Sequence, residues 1–109
     1  MSFNVIATKP FERKYKKLSK KYKSLKDDLA IIFEQISENP TLGIPLGKDC
    51  YKIRMAISSK GKGTSGGGRI ITYVRITSEN IFLLDIYDKS EQSTITDSKL
   101  QLLINLLAD

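Results

Sequence analysis

The chain has 109 residues, of which 40% are hydrophobic and 28% are charged, a composition typical of a globular protein. This length predicts one domain, residues 1–109, large enough to form a hydrophobic core. No apolar run reaches the roughly 20 residues that cross a bilayer, and the first residues lack the features of a signal peptide. Cys50 is the single cysteine, so an internal disulfide is excluded. These features predict a cytoplasmic protein with no membrane partner.

The net charge of +6 is distributed unevenly along the chain. Residues 9–26 contain nine lysine and arginine side chains against one acidic residue, and residues 48–75 contain seven against one. Residues 27–47 and 76–109 are acidic on balance. Concentrated positive charge of this kind indicates an anionic partner, and nucleic acid is the most common polyanion.

The first half of the chain predicts a short strand followed by two helices. Residues 3–8 alternate in the manner of a strand, and Thr8 with Pro10 is typical of a helix start. Apolar residues at helical spacing then continue to Asn39-Pro40, with a break near residues 20–24. We therefore expect an antiparallel pair of helices. Residues 41–49 are expected to form a loop because they are rich in glycine and proline.

The second half predicts three strands and a terminal helix. Residues 50–57 and 69–76 alternate as two strands joined by a glycine-rich loop, and residues 81–87 form a third, largely buried strand. A polar loop separates that strand from a leucine-rich helix over residues 96–107. The predicted fold is an α+β domain of order β-α-α-β-β-β-α, with helices packed on one side of a mostly antiparallel sheet. The leucine stripe of the last helix is expected in the core, with partner contact as the alternative.

Strand alternation predicts a cationic face on this sheet. Side chains two residues apart in a strand point to the same side, so pairing the two strands with their apolar faces together collects cations on the other side. Four cations on one face repel each other, which again favours an anionic ligand. They are Lys52, Arg54, Arg69 and Arg75.

The segment Cys50-Tyr-Lys-Ile-Arg54 is followed, after the glycine loop, by Arg69-Ile-Ile-Thr-Tyr-Val74. These segments, the element order and the small size resemble the RelE/ParE toxins of bacterial type II toxin–antitoxin systems, and the long loop is similar to the RelE-like or HigB-like branch. The resemblance covers nearly the whole chain. It implies a RelE-like fold and a cognate antitoxin protein in a toxin–antitoxin hetero-oligomer. Operator DNA is a further partner, contacted through the antitoxin.

The same resemblance implies an endoribonuclease that cleaves mRNA on the ribosome and so inhibits translation. RelE-like members use two strand lysines, an arginine on the next strand, a late arginine and a tyrosine. By position, the first three match Lys52, Arg54 and Arg69. Lys89 stands nearest to the late arginine, and Tyr87, at the end of the last strand, is the candidate for the tyrosine.

Cleavage through the RNA 2′-hydroxyl needs a base, cationic stabilisation of the phosphorane and an acid for the leaving oxygen. The chain has no histidine, so the usual acid–base pair is absent. Neighbouring positive charges favour a neutral lysine, and arginine donors match phosphate oxygens. We expect Lys52 to be the base, Arg54 and Arg69 to stabilise phosphate, and Tyr87 or Lys89 to be the acid. No metal or cofactor is expected.

Further lysines are candidates for contacting RNA. The glycine loop lacks the phosphate-binding loop pattern and lies between strands, so we expect a mobile hairpin loop that touches phosphates. The lysines of the first helix either grip RNA or form an ordinary solvated face. The predicted RNA-binding residues are Lys60, Lys62, Arg75, Lys16 and Lys20. Asp85 is expected beside Arg54 or Arg69, in a structural ion pair or, as the alternative, in a catalytic role.

Two other functions remain open from the sequence. One is a ParE-like inhibitor of DNA gyrase without nuclease activity. The other is a degenerate toxin that mainly helps its antitoxin to bind operator DNA. The grouping of Lys52, Arg54 and Arg69 on one sheet face favours the nuclease, because gyrase inhibition does not need cations at that place.

Overall fold

A five-stranded sheet organises the chain in this computed structural model, which describes residues 2–61 and 63–107. The strand order is β1-β5-β4-β3-β2, with β1 parallel to β5 and the other neighbours antiparallel. This architecture confirms the predicted α+β class with a mostly antiparallel sheet. The strands are β1 (Asn4–Ala7), β2 (Ile44–Gly47), β3 (Cys50–Met55), β4 (Gly68–Arg75) and β5 (Asn80–Asp88), and the α-helices are α1 (Lys9–Lys21), α2 (Leu25–Glu38) and α3 (Asp97–Asn105).

The helices begin where the sequence predicts them. The Thr8 hydroxyl accepts a hydrogen bond from the backbone N–H of Phe11 at 3.4 Å, which caps α1, and it donates to the carbonyl of Leu83 at 2.7 Å. One side chain therefore caps the helix and ties it to β5. α1 ends at Lys21 and α2 starts at Leu25, so the predicted break is confirmed. Thr96 likewise caps α3 by accepting from the backbone of Lys99.

The prediction of a loop over residues 41–49 is wrong for its second half. Ile44–Gly47 forms the edge strand β2, with Ile44 opposite Lys52. Lys48 and Asp49 both have positive φ, the combination that a type I′ two-residue hairpin turn requires. Pro45 is compatible with this strand because an edge strand has no second neighbour that needs its N–H. Pairing with β3 therefore overrides the low strand propensity of the segment.

The sheet is apolar on both faces. One face packs against α1 and α2 through residues such as Ile53, Ile70 and Ile86. The other face carries Ile71 and a second apolar cluster to which the terminal helix contributes. α3 thus lies on the side opposite the helical pair, so the expectation that all helices share one side is wrong. This second cluster consists of Cys50, Ile71, Leu84, Tyr87, Ile95, Leu100 and Leu103.

The leucines of the terminal helix differ in burial. Leu100 and Leu103 are buried in the second cluster, in agreement with the prediction that the stripe is core. Leu102 and Leu106 are exposed. No helix within residues 2–61 and 63–107 combines the length and the apolar character needed to cross a membrane.

Candidate active site

Two arginines and a tyrosine form a row across three neighbouring strands. Arg54 on β3 lies opposite Arg69 on β4, and Arg69 lies opposite Tyr87 on β5. Neighbouring strands are about 4.8 Å apart, so the row spans about 10 Å. Lys52 lies two residues before Arg54 on the same face, opposite Ile71. The structure thus brings together four of the five predicted catalytic residues, and we call Arg54, Arg69 and Tyr87 the cross-strand row.

Arg69 is buried, with 3% of its surface exposed, although the sequence predicts an outward side chain. The turn at residues 63–67 covers it. Nη1 donates to the carbonyl oxygens of Thr64 and Gly68, both at 2.9 Å, and Nη2 donates to the carbonyl of Ser65 at 3.3 Å. A glycine-rich turn can approach this closely because its backbone carries few side chains.

The hydrogen bonds of Arg69 leave part of its guanidinium free. A guanidinium has five N–H donors, and three are used by the carbonyls of Thr64, Ser65 and Gly68. In the described part of the chain, Nε–H and one Nη2–H have no acceptor. Burial and the nearby charge of Arg54 lower the pKa of Arg69, which nevertheless stays protonated at neutral pH. A charged, incompletely bonded guanidinium in this position suits a phosphate oxygen.

Tyr87 is the third member of the row, on the other side of Arg69 from Arg54. The residue is 3% exposed and belongs to the second apolar cluster, together with Ile95 and Leu100. The hydroxyl has no hydrogen-bond partner within the described residues. Burial, followed by the charge of Asp85, raises the pKa of Tyr87, so the phenol keeps its proton at neutral pH. Tyr87 can therefore donate a proton but is unsuited to be a base.

Asp85 does not pair with Arg54 or Arg69, in contrast to the sequence prediction. Its Oδ1 lies 2.7 Å from the Nζ of Lys14 on α1 and accepts from the backbone N–H of Ile86 at 2.9 Å. Its Oδ2 is buried and has no partner in the described part of the chain. Lys14 Nζ also lies 5.7 Å from the centre of the Tyr87 ring. α1 thus supplies the counter-ion that the sequence analysis assigns to the strands.

Asp88, at the end of β5, is the centre of a buried polar cluster that the sequence analysis missed. Its carboxylate accepts from Lys60 Nζ at 2.6 Å, from the Tyr22 hydroxyl, and from the backbone N–H and hydroxyl of Ser90 at 3.0 and 2.7 Å. Burial alone raises the pKa of Asp88, but the hydrogen bonds from Lys60, Tyr22 and Ser90 outweigh it and hold the pKa well below its usual range. We call these four residues the Asp88 cluster.

Lys60 therefore does not lie on a free loop, and its predicted contact with phosphate conflicts with the structure. Its side chain is 7% exposed and paired with Asp88. The two residues are 28 positions apart, and Tyr22 is 66 positions from Asp88. The sequence offers no local signal for such a contact: Lys60 and Asp88 occupy positions typical of exposed polar residues, and the helical spacing of Tyr22 indicates only that it faces the core.

The remaining predicted residues are spread over the molecule. Lys16 and Lys20 are exposed on α1, and Lys89 is exposed just after β5. Lys62 lies outside the described residues. Arg75 is six residues from Arg69 along β4, about 20 Å away at the rise of an extended strand. It stacks over the rings of Tyr73 and Phe82 at 5.7 and 5.4 Å, which separates it from the cross-strand row.

Comparison with known proteins gives a clear structural similarity. No model of a protein family matches the sequence. A free E. coli RelE toxin with two arginine-to-alanine substitutions has a TM-score of 0.66 at 14% identity, over 98% of this chain and 99% of that one. The intact E. coli RelBE toxin–antitoxin complex gives 0.55 at 20% identity, over 80% and 96% of the two chains. The isolated E. coli RelE toxin in its P21 form gives 0.52 at 16% identity, over 96% and 99%. At these identities the similarity establishes the architecture, and the chain has the fold of the E. coli RelE toxin.

Proposed function

We propose that the chain is the toxin of a type II toxin–antitoxin pair, an endoribonuclease that cleaves mRNA on the ribosome. The observation that carries this proposal is the cross-strand row, with Lys52 beside it on the same face of a RelE fold. In a chain without histidine, a lysine, two arginines and a protonated phenol can supply the base, the phosphate donors and the acid that phosphate cleavage uses. No metal or cofactor has a part in the proposed reaction.

In the proposed reaction, Lys52 removes the proton of the RNA 2′-hydroxyl, which attacks the adjacent phosphorus. As the bond from phosphorus to the 2′-oxygen forms, the bond to the 5′-oxygen breaks. Arg54 and Arg69 donate hydrogen bonds to the non-bridging oxygens, whose negative charge increases in the transition state. The products are a 2′,3′-cyclic phosphate and a 5′-hydroxyl, and the leaving oxygen takes its proton from the acid.

Two residues compete for the role of that acid. Tyr87 lies next to Arg69 and keeps its proton, but its hydroxyl is enclosed by the second apolar cluster. Lys89 is exposed just beyond the same strand, with its backbone N–H bound to the carbonyl of Gly67 at 3.1 Å. Tyr87 and Arg69 are each 3% exposed, so both need a local rearrangement to reach RNA, whereas Lys89 is already exposed.

The RNA-binding surface extends beyond the row. Lys16 and Lys20 are exposed on α1 and supply sequence-independent attraction to phosphates, which weakens with salt. Arg75 offers a second, distant contact, and Lys62 remains a candidate in the glycine loop. We leave Lys60 out of this surface because Asp88 already binds it.

The proposed antitoxin neutralises the same positive regions. The E. coli RelBE neighbour is a toxin–antitoxin complex, which supports such a partner for this chain. An acidic segment that is disordered when free would fold over the sheet face with Lys52 and Arg54, with fast, salt-dependent association. Operator DNA would be contacted through the antitoxin. Because mRNA and ribosomes are the proposed targets, the proposed location is the cytoplasm.

The test is cleavage of end-labelled mRNA by the purified chain, with and without ribosomes. We expect cuts that end in 2′,3′-cyclic phosphate, stronger with ribosomes, and no cuts by a Lys52→Met/Arg54→Gln double variant. Expression in cells should stop protein synthesis before it affects DNA. DNA breaks with intact mRNA would instead identify a gyrase inhibitor, and an effect on neither would identify a degenerate toxin.

A further inference from the structure

The orientation of Arg69 depends on a turn that does not belong to the cross-strand row. Two of the three oxygens that bind its guanidinium are the carbonyls of Thr64 and Ser65. Both lie in the turn at residues 63–67, so any shift of this turn moves the acceptors and changes which N–H donors stay free.

Contacts on both sides hold this turn in place. Gly67 lies so close to β3 that a Cβ atom built on it would be 2.1 Å from the carbonyl oxygen of Met55. The carbonyl of Gly67 accepts from the backbone N–H of Lys89 at 3.1 Å. The turn is therefore fixed to β3 on one side and to the end of β5 on the other.

The Asp88 cluster lies where the turn contacts the end of β5. Asp88 precedes Lys89 and pairs with Gly68 across the sheet, at the end of the turn. Its carboxylate binds Lys60, which lies just before the turn, at 2.6 Å. Asp88 thus contacts both ends of the turn: its carboxylate binds Lys60 before the turn, and its backbone pairs with Gly68 after it. Tyr22 connects the same carboxylate to α1.

We propose that Lys60 and Asp88 are positioning residues, whose buried ion pair holds the turn so that Arg69 presents Nε–H and one Nη2–H to phosphate. The consequence for cleavage rests on the proposed function, whereas the orientation of Arg69 does not. Asp88 follows Tyr87 along β5, but within the described residues neither the Lys60 nor the Asp88 side chain hydrogen-bonds to Arg54, Arg69 or Tyr87. The ion pair therefore acts on Arg69 through the carbonyls of Thr64 and Ser65.

Energetics support a role in geometry more than in stability. A buried ion pair has a large desolvation cost, and an apolar pair of similar volume often stabilises a protein as well or better. An ion pair with further hydrogen bonds does provide fixed directions. Asp88 accepts four such bonds, from Lys60, Tyr22 and two groups of Ser90.

The first test follows the Arg69 side chain by NMR in the full, ¹⁵N-labelled chain without RNA. Its Nη–H signals should be resolved and exchange slowly, and they are identified by their loss in Arg69→Lys. In Lys60→Met they should broaden and exchange about 10-fold faster, because the turn opens locally. Lys60→Arg, which keeps the ion pair, should restore them.

Lys21→Met is the matched control. Lys21 Nζ is also near Asp88, at 4.0 Å, but its side chain is 54% exposed, and Lys21 is not next to the turn in the chain. We expect the Arg69 signals of Lys21→Met to match those of the unsubstituted chain. If Lys60→Met does not fold, Ser90→Ala removes the 2.7 Å hydrogen bond and keeps the charges, so it should give the same change to a smaller degree.

The second test measures RNA cleavage by the same variants. Lys60→Met should lower kcat by about 10²-fold with little change in KM, because the stabilising group is misplaced while the RNA-binding surface stays intact. Unchanged Arg69 signals in folded Lys60→Met overturn the positioning role even if the chain cleaves RNA. If the Arg69 signals broaden in Lys60→Met but the unsubstituted chain does not cleave RNA, the proposed function is overturned and the positioning role stands.

Discussion

Arg54 and Arg69 lie opposite each other on adjacent strands, so the fold holds two positive charges side by side without an acidic residue between them. Like charges at directly opposite positions destabilise a sheet. The chain tolerates this repulsion at the place where Lys52 adds a third cation on the same face. A bound phosphate would convert the repulsion into attraction, which is why this pair is the centre of the proposed site.

Replacing Arg54 should change stability and activity in opposite directions. We expect Arg54→Gln to raise the free energy of unfolding at low salt by about 0.2–1 kcal/mol, because the opposed charge is removed. The same change should lower the cleavage rate by about 10²–10³-fold, since one phosphate donor is lost. Urea unfolding and single-turnover cleavage measure the two effects. A variant that loses stability and cleaves normally would contradict the role assigned to this pair.

Arg69 should behave differently because it is buried. Arg69→Ala leaves the carbonyls of Thr64, Ser65 and Gly68 without their donors, and we expect a loss of about 1–3 kcal/mol in the free energy of unfolding. Cleavage should be abolished under conditions in which the variant is still folded. Lys99→Ala, which removes an exposed cation on α3, should change neither quantity. Normal cleavage by folded Arg69→Ala would remove Arg69 from the site.

Local patterns predict the site only as far as they determine strands and faces. Alternation in β3 and β4 is sufficient to place Lys52, Arg54 and Arg69 on one side, since parity decides the face of every strand residue. Parity does not reveal burial. The turn over Arg69 and the second apolar cluster around Tyr87 arise from segments that fold back from elsewhere. The leucine spacing of the last helix predicts that Leu100 and Leu103 are core, but it does not predict that they pack with Tyr87.

Long-range ion pairs show the same limit. Lys14 and Asp85 meet because α1 crosses β5 beyond the end of β1, and Lys60 meets Asp88 because the chain turns back after β3. In both cases the lysine occupies a position that looks solvated in the sequence. The fold class could be predicted because it depends on the order of elements, whereas these partners depend on where distant elements meet.

The acid can be identified by comparing Tyr87→Phe with Lys89→Met. Tyr87→Phe removes a buried hydroxyl that has no partner in the described residues, so we expect unchanged or slightly higher stability. If Tyr87 is the acid, the variant should lose cleavage and recover it on RNA with a 5′-bridging sulfur, which leaves without a proton. Lys89→Met should then cleave normally. Recovery by the sulfur substrate in Lys89→Met alone would assign the acid to Lys89.

Asp88 should give the protein a marked sensitivity to acid. Hydrogen bonds from Lys60, Tyr22 and Ser90 overcome the effect of burial and hold the pKa of Asp88 well below its usual range. An aspartate in the unfolded chain titrates near pH 4, so the unfolded state binds a proton before the folded state does. The stabilisation is therefore complete above that pH and is lost progressively as the pH falls below it.

Asp88→Asn should lower stability at pH 7 and flatten the decline between about pH 5 and pH 2, measured by urea unfolding at each pH. Asp97→Asn, at an exposed position, should keep the decline of the unsubstituted chain. An equally steep decline in Asp88→Asn would show that other carboxylates cause the acid sensitivity, because the charge of Asp88 is the one that this variant removes.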